Sequence, residues 1–279
     1  NSFRDSRFSI LLGLFFIFIT IIVTIFIFPS IIYTCHILVD KIISLIYMRK
    51  YKAIVFDMDD TLGHFEEIAI FTTGLKKGLG NKVNEEYLFK VFDLFPKFFR
   101  PGIIDTLKYI KKQKKKDRLI KVIIYTNNMG PHNWTVFIKR YLERKVGGKI
   151  FDHIISGYKP GTKINKRTTH YKTVPDILKC TGLNKQTRFL FVDDQRHPRM
   201  MHEKVTYMKI YPYNYGIKFK ELVDRYMDSK LINIIPKNER ETFKFFILNY
   251  LSAGLIGYNY KVSKTEISKK DLEEDIKLR

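Results

Sequence analysis

The chain has 279 residues, of which 45% are hydrophobic and 28% charged. That length suits one main domain with appendages, and a domain of about 180 residues buries a full core without disulfides. Only two cysteines occur, Cys35 and Cys180. They have no metal-ligand spacing, which excludes a disulfide scaffold and a cysteine-based metal site and points to a reducing compartment. The formal charge of +22 favours acidic partners such as nucleic acid, phosphoprotein or anionic lipid. A genome rich in A/T codons supplies the same lysine excess.

From Phe8 to Val39 the sequence carries no formal charge over 32 positions, whereas a bilayer span needs about 20. Arg4 and Arg7 precede the run, and Lys41, Arg49, Lys50 and Lys52 follow it. This asymmetry predicts a catalytic domain facing the cytoplasm. Pro29 divides or kinks the segment, and no small-residue cleavage site follows. Two expectations stay open: a membrane anchor through residues 8–39, or upstream sequence preceding a soluble cytoplasmic product that starts at Met48. Residues 1–47 thus form an apolar N-terminal segment, 48–230 the expected catalytic domain, and 231–279 a C-terminal helix with a charged tail.

Within the catalytic region, residues 52–57 (Lys-Ala-Ile-Val-Phe-Asp) read as a short buried strand. Asp57-Met-Asp-Asp-Thr-Leu-Gly63 leaves it as a loop. Residues 65–79 and 84–95 look helical and form an insertion over 65–99. Arg100-Pro101-Gly102 opens a helix running to about Lys115, with Pro near its first turn. Leu119–Tyr125 is the second strand, ending in Thr126-Asn127-Asn128. A helix from about His132 to Lys145 leads to a third strand, Phe151–Ser156. A basic loop over Gly157–Thr169 precedes a short helix, Thr173–Cys180. Arg188–Val192 is the fourth strand, with Asp193-Asp194 at its end, and Val205–Ile210 the fifth. A helix from Glu239 to Leu255, apolar nearly all round, packs on the domain. Alternating strands and helices predict a Rossmann-like three-layer α/β/α fold: a central parallel sheet of about five strands and a small helical insertion after the first.

Three strands deliver polar residues at their C-terminal ends: Asp57 and Asp59, Thr126, and Asp193-Asp194. Ligands of open α/β sheets bind outside those ends. Carboxylates gathered there repel one another unless a hard divalent cation, Mg²⁺ above all, sits among them. An aspartate can attack phosphorus, a second carboxylate can move the proton, and a hydroxyl and a lysine can hold the phosphoryl oxygens.

Phe56-Asp57-Met58-Asp59-Asp60-Thr61-Leu62 resembles the first motif of the haloacid dehalogenase superfamily, D-x-D-x-T after a strand. Ile124-Tyr125-Thr126-Asn127 resembles its second motif and Phe191-Val192-Asp193-Asp194 its fourth, over about residues 50–228. The resemblance implies a nucleophilic Asp57 that also ligates Mg²⁺, and Asp59 as general acid/base with its carbonyl on the metal. It implies that Thr126 binds the phosphoryl group, that Asp194 ligates the metal directly, and that Asp193 ligates or supports it. Lys172 takes the third-motif position ahead of Lys159, Lys163 and Lys166. Asn127 binds substrate or caps the strand end. Arg100-Pro101-Gly102, Tyr125-Thr126-Asn127 and Asp57–His64 are similar to the branch containing the phosphatases of the RNA polymerase C-terminal domain, the NLI-interacting-factor-like group, which act on phosphoserine in proteins. Two features depart from that branch: Asp193-Asp194 replaces its usual Asp-Asn, and a helical insertion replaces its short hairpin. The stretch from Cys180 to Pro198 is also similar to dehalogenase-like proteins of large DNA viruses.

The expected function is therefore a Mg²⁺-dependent phosphomonoester hydrolase forming an aspartyl-phosphate, with a phosphorylated protein as substrate. The alternatives are a phosphatase of nucleotides or nucleic-acid ends, and a membrane-tethered binding protein of the same fold without catalysis. His64 either faces the substrate or has a local loop role; His197-Pro198 reads as a turn, Trp134 as packing, and Arg100 as an internal ion pair.

Overall fold

The computed structural model describes residues 52–161 and 166–258. The N-terminal run, Cys35, Met48, Lys163 and the charged tail lie outside the described residues. No described helix is long and apolar enough to cross a membrane.

Five parallel strands form one sheet in the order β3-β2-β1-β4-β5: β1 (Lys52–Phe56), β2 (Ile120–Tyr125), β3 (His153–Ile155), β4 (Arg188–Asp193) and β5 (Val205–Lys209). Seven α-helices surround it among the described residues: α1 (Glu66–Leu79), α2 (Glu85–Leu94), α3 (Ile103–Lys116), α4 (His132–Lys145), α5 (Val174–Thr181), α6 (Phe219–Met227) and α7 (Arg240–Tyr258). The Rossmann-like α/β reading therefore describes this chain.

Alternation along the strands sorts the core into two halves, because successive side chains point to opposite faces. Phe56, Val122, Ile124 and Val192 face a large cluster completed by α1–α4, α6 and α7. Ala53, Val55, Ile123, Tyr125, Phe189 and Phe191 face a smaller one closed by Val174 and Ile177 of α5 and by Met200. Both faces are covered, as buried parallel strands require, but unequally.

The insertion between β1 and α3 belongs to the larger half. Helix α2 is capped by Asn84, whose side chain accepts from the Tyr87 N–H at 2.8 Å. Its Leu88, Phe89 and Phe92 are buried, and the Phe92 ring lies 5.2 Å from that of Tyr141 on α4. Each such side chain contributes about 1.5–3 kcal/mol on burial, so the insertion is held as firmly as the core. At the other end of the chain, α7 buries Phe243, Ile247 and Leu251 and leaves Phe245 exposed.

Candidate active site

β1 is central, flanked by β2 and β4. The chain runs outward through β2 and β3, then returns to the other side of β1 for β4. This reversal is the place where open α/β sheets bind ligands. Register does the rest. Phe56 pairs with Ile124 and with Val192, so the residues after each strand emerge side by side. The Asp57 N–H donates to the Val192 carbonyl at 3.0 Å.

Three carboxylates meet there. Oxygens of Asp57, Asp193 and Asp194 lie within 4.8 Å of one another, and all three residues are buried. Lys172, 1% exposed, reaches into the group. Its ammonium lies 2.7 Å from Asp57 Oδ1 and 2.7 Å from Asp193 Oδ2. Like charges about 4 Å apart repel by about 4 kcal/mol even at an effective dielectric of 20. Three carboxylates against one ammonium leave two uncompensated negative charges, the number a divalent cation carries. Without a cation the cluster keeps protons instead. Burial pushes the Asp57 carboxyl up against the pull of Lys172. Burial and the nearby Asp57 push Asp194 up to about 7. Asp193 goes the other way: burial opposes it, but His197 and Lys172 hold it below the ordinary carboxylate range. This buried aspartate group can hold a metal ion.

The remaining candidates take distinct positions. Thr126 is buried at the end of β2, and its hydroxyl accepts from the Asn128 N–H at 2.9 Å. Asp59 stands beside the cluster rather than in it. Asn128 Nδ2 donates to Asp59 Oδ2 at 2.9 Å. Burial dominates there and raises Asp59 to about 6, against the Asn128 hydrogen bond. The exposed Asn127 accepts from Arg167 at 2.6 Å through Oδ1. Lys159 donates to the Gly130 carbonyl at 3.3 Å, and Lys166 is exposed. Of these lysines, Lys172 is the one that contacts the carboxylates.

Four supports lay outside the sequence-based set or had a different role in it. Thr61 Oγ1 donates to Asp194 Oδ1 at 2.9 Å and accepts from the Asp194 N–H at 3.2 Å. It is the threonine of D-x-D-x-T, so the motif contained the signal. Arg100 is 1% exposed and ties the first loop to its surroundings. It donates to the carbonyls of Thr61 at 2.8 Å, Asp60 at 2.8 Å and Tyr211 at 2.6 Å. These main-chain oxygens tie its guanidinium to the loop. Arg167 donates to the carbonyls of Thr126, Ser156 and His170, joining the ends of β2 and β3 to the approach to Lys172. It is one of four basic residues between Gly157 and Thr169, and nothing local marks it as the buried one. His197 Nε2 lies 3.2 Å from Asp193 Oδ2.

His64 lies 2.6 Å from Asp60 Oδ1 and 3.4 Å from Glu67 Oε2. Burial opposes its charge, but the two carboxylates win and raise it to about 10. Protonated, it braces the loop from within, and it also lines the adjoining groove.

A groove of about 780 Å³ opens from Asp59 and Asn128 and runs between α1, α2 and the start of α4. Trp134 lines it while stacking on Phe137 at 5.8 Å. The chain matches no family model, no curated protein and no solved structure.

Proposed function

We propose that this protein is a Mg²⁺-dependent phosphomonoester hydrolase of the haloacid dehalogenase type, working through Asp57. The observation that carries the reading is the buried meeting of Asp57, Asp193 and Asp194 around Lys172, beside a fourth carboxyl, Asp59, that burial pushes up to about 6. Oxygen donors alone suit a hard cation such as Mg²⁺. Asp57, Asp193, Asp194 and the Asp59 carbonyl would hold it. When bound, it offsets the charge of the phosphoryl oxygens and frees Asp57 from its proton.

The chain's own residues supply the rest. An Asp57 oxygen attacks phosphorus, and the ester bond to the alcohol breaks. Protonated Asp59 gives its proton to the departing oxygen. Asp59, now a carboxylate, takes a proton from water as that water attacks the aspartyl-phosphate. Inorganic phosphate leaves and Asp57 is restored. Lys172 and Thr126 hold the phosphoryl oxygens as their charge grows. Asn128 aims Asp59. The phosphoprotein expectation rests on the narrower branch, and Asp193-Asp194 and the packed helical insertion are the features that depart from it.

The test is phosphate release from a generic aryl phosphate. With Mg²⁺ the protein should turn over, and a chelator should stop it. Asp57→Asn should lower the rate at least about a thousandfold, as loss of a nucleophile does. Undiminished turnover by that variant would rule out Asp57 as the attacking group.

A further inference from the structure

The groove beside the carboxylates makes a choice of substrate. Asp59 and Asn128 line its inner end, whereas Asp57, Asp193, Asp194, Lys172 and Thr126 do not. It therefore opens on the side of the general acid, where the alcohol half of an ester departs. Phe65, Ile70, Val83, Leu88, Trp134 and Tyr250 give it an apolar stretch, alongside polar and charged side chains that include Asp60, Glu66, Lys76, Glu85 and Asn133. On α1 the lining runs from Glu66 to Lys76, ten residues on, or about 15 Å at the helical rise.

Two features narrow the occupant. Beyond the first turn of α1 the wall offers little main-chain hydrogen bonding, because Ala69 to Lys76 commit their backbone groups to the helix. The hydroxyls of Thr72 and Thr73 are turned inward as well, donating to the carbonyls of Ile68 and Ala69. A peptide main chain laid along α1 would lose water contacts and find few replacements. A hydrocarbon chain loses none. Charge supplies the second restriction. The carboxylates of Asp60, Glu66 and Glu85 line the groove against the cations His64 and Lys76, so a leaving group bearing further phosphates meets a net negative lining.

We infer that the groove between α1, α2 and α4 binds the alcohol half of a phosphate monoester whose alcohol is an apolar chain. This rests on the phosphohydrolase reading and replaces phosphoprotein with a small amphiphilic ester.

A homologous series decides the matter: methyl, butyl, hexyl, octyl and decyl phosphate, held below micelle formation, with the 279-residue chain and Mg²⁺. kcat/KM should climb by up to about fourfold per methylene until the groove is filled. Ile70→Asp should flatten the climb. The same series as non-hydrolysable phosphonates, followed by calorimetry, should show the same gain in affinity. Phosphate release that is flat with chain length overturns the inference and leaves the hydrolase intact. Faster turnover of a phosphoserine peptide or of AMP than of decyl phosphate overturns it in favour of that substrate. If no ester is cleaved, the hydrolase reading falls, and the phosphonate series still decides: rising affinity keeps the groove as a chain-binding site, and flat affinity removes it.

Discussion

The carboxyl of Asp59 receives its hydrogen bond from Asn128, not from its neighbour Asn127. The two asparagines are adjacent and chemically identical, so their sequence does not distinguish them. The turn after β2 does, because the Thr126 hydroxyl accepts from the Asn128 N–H and turns that side chain inward. The hydrogen bond favours ionised Asp59, while burial favours the protonated form. Asn128→Ala should therefore raise the Asp59 pKa further above 6 and move the corresponding limb of the pH–rate profile to higher pH. kcat should fall about tenfold or more as Asp59 loses its aim. An unshifted profile would separate Asn128 from the proton transfer. Lys172 could be chosen from the sequence by its place before α5, but its bridging of Asp57 and Asp193 joins residues remote in the chain.

At the scale of the element, the first loop is the part most dependent on others. Asp60 adopts a left-handed φ of 56°, a conformation that Asp tolerates better than most residues. Gly63 leaves no room for a Cβ, which would lie 2.3 Å from the Phe98 carbonyl. The loop is stapled there to residues 98–100, through His64 N–H to Phe98 O at 2.8 Å and Arg100 N–H to Leu62 O at 3.0 Å. Arg100 completes the clamp from its side chain. Arg100→Leu would strip the buried Thr61 carbonyl and the part-buried Tyr211 carbonyl of this donor and should cost about 3 kcal/mol, a fall in Tm of about 6–12 °C. Arg100→Lys should recover less than half, since an ammonium lacks the planar fork. A thermal melt of both variants measures this; a neutral Arg100→Leu would remove the clamp from the account. Helices α1 and α7 also meet closely. A Cβ on Gly74 would come within 2.7 Å of the Tyr250 ring, a fit that periodicity alone does not reveal.

Across the whole molecule, the carboxylate group couples metal, protons and stability. Asp59 at about 6 and Asp194 at about 7 lie above the ordinary value near 4. Folded protein thus holds these protons more tightly than unfolded chain does. Their stabilising effect is complete below about pH 4 and is lost as pH rises towards 7. Asp193, held low, contributes in the opposite sense and loses its effect in acid. A divalent cation held by Asp57, Asp193 and Asp194 would take the protons' place above pH 7. Mg²⁺ at a hundred times its Kd should stabilise by about 2.7 kcal/mol, raising Tm at pH 8 by about 5–10 °C, and the increment should shrink towards zero by pH 5. Equal increments at both pH values would dissociate the metal from these carboxyls. The strand pattern, the helical insertion and the acidic strand ends are written in local sequence, because burial period and turn chemistry act over a few residues. Folding alone decided that Asp57, Asp193 and Asp194 share one space with Lys172, that Arg100 and Arg167 brace carbonyls, and that an apolar groove opens beside Asp59. Those relations depend on strand order and side-chain direction, which are set by packing between segments far apart in the chain.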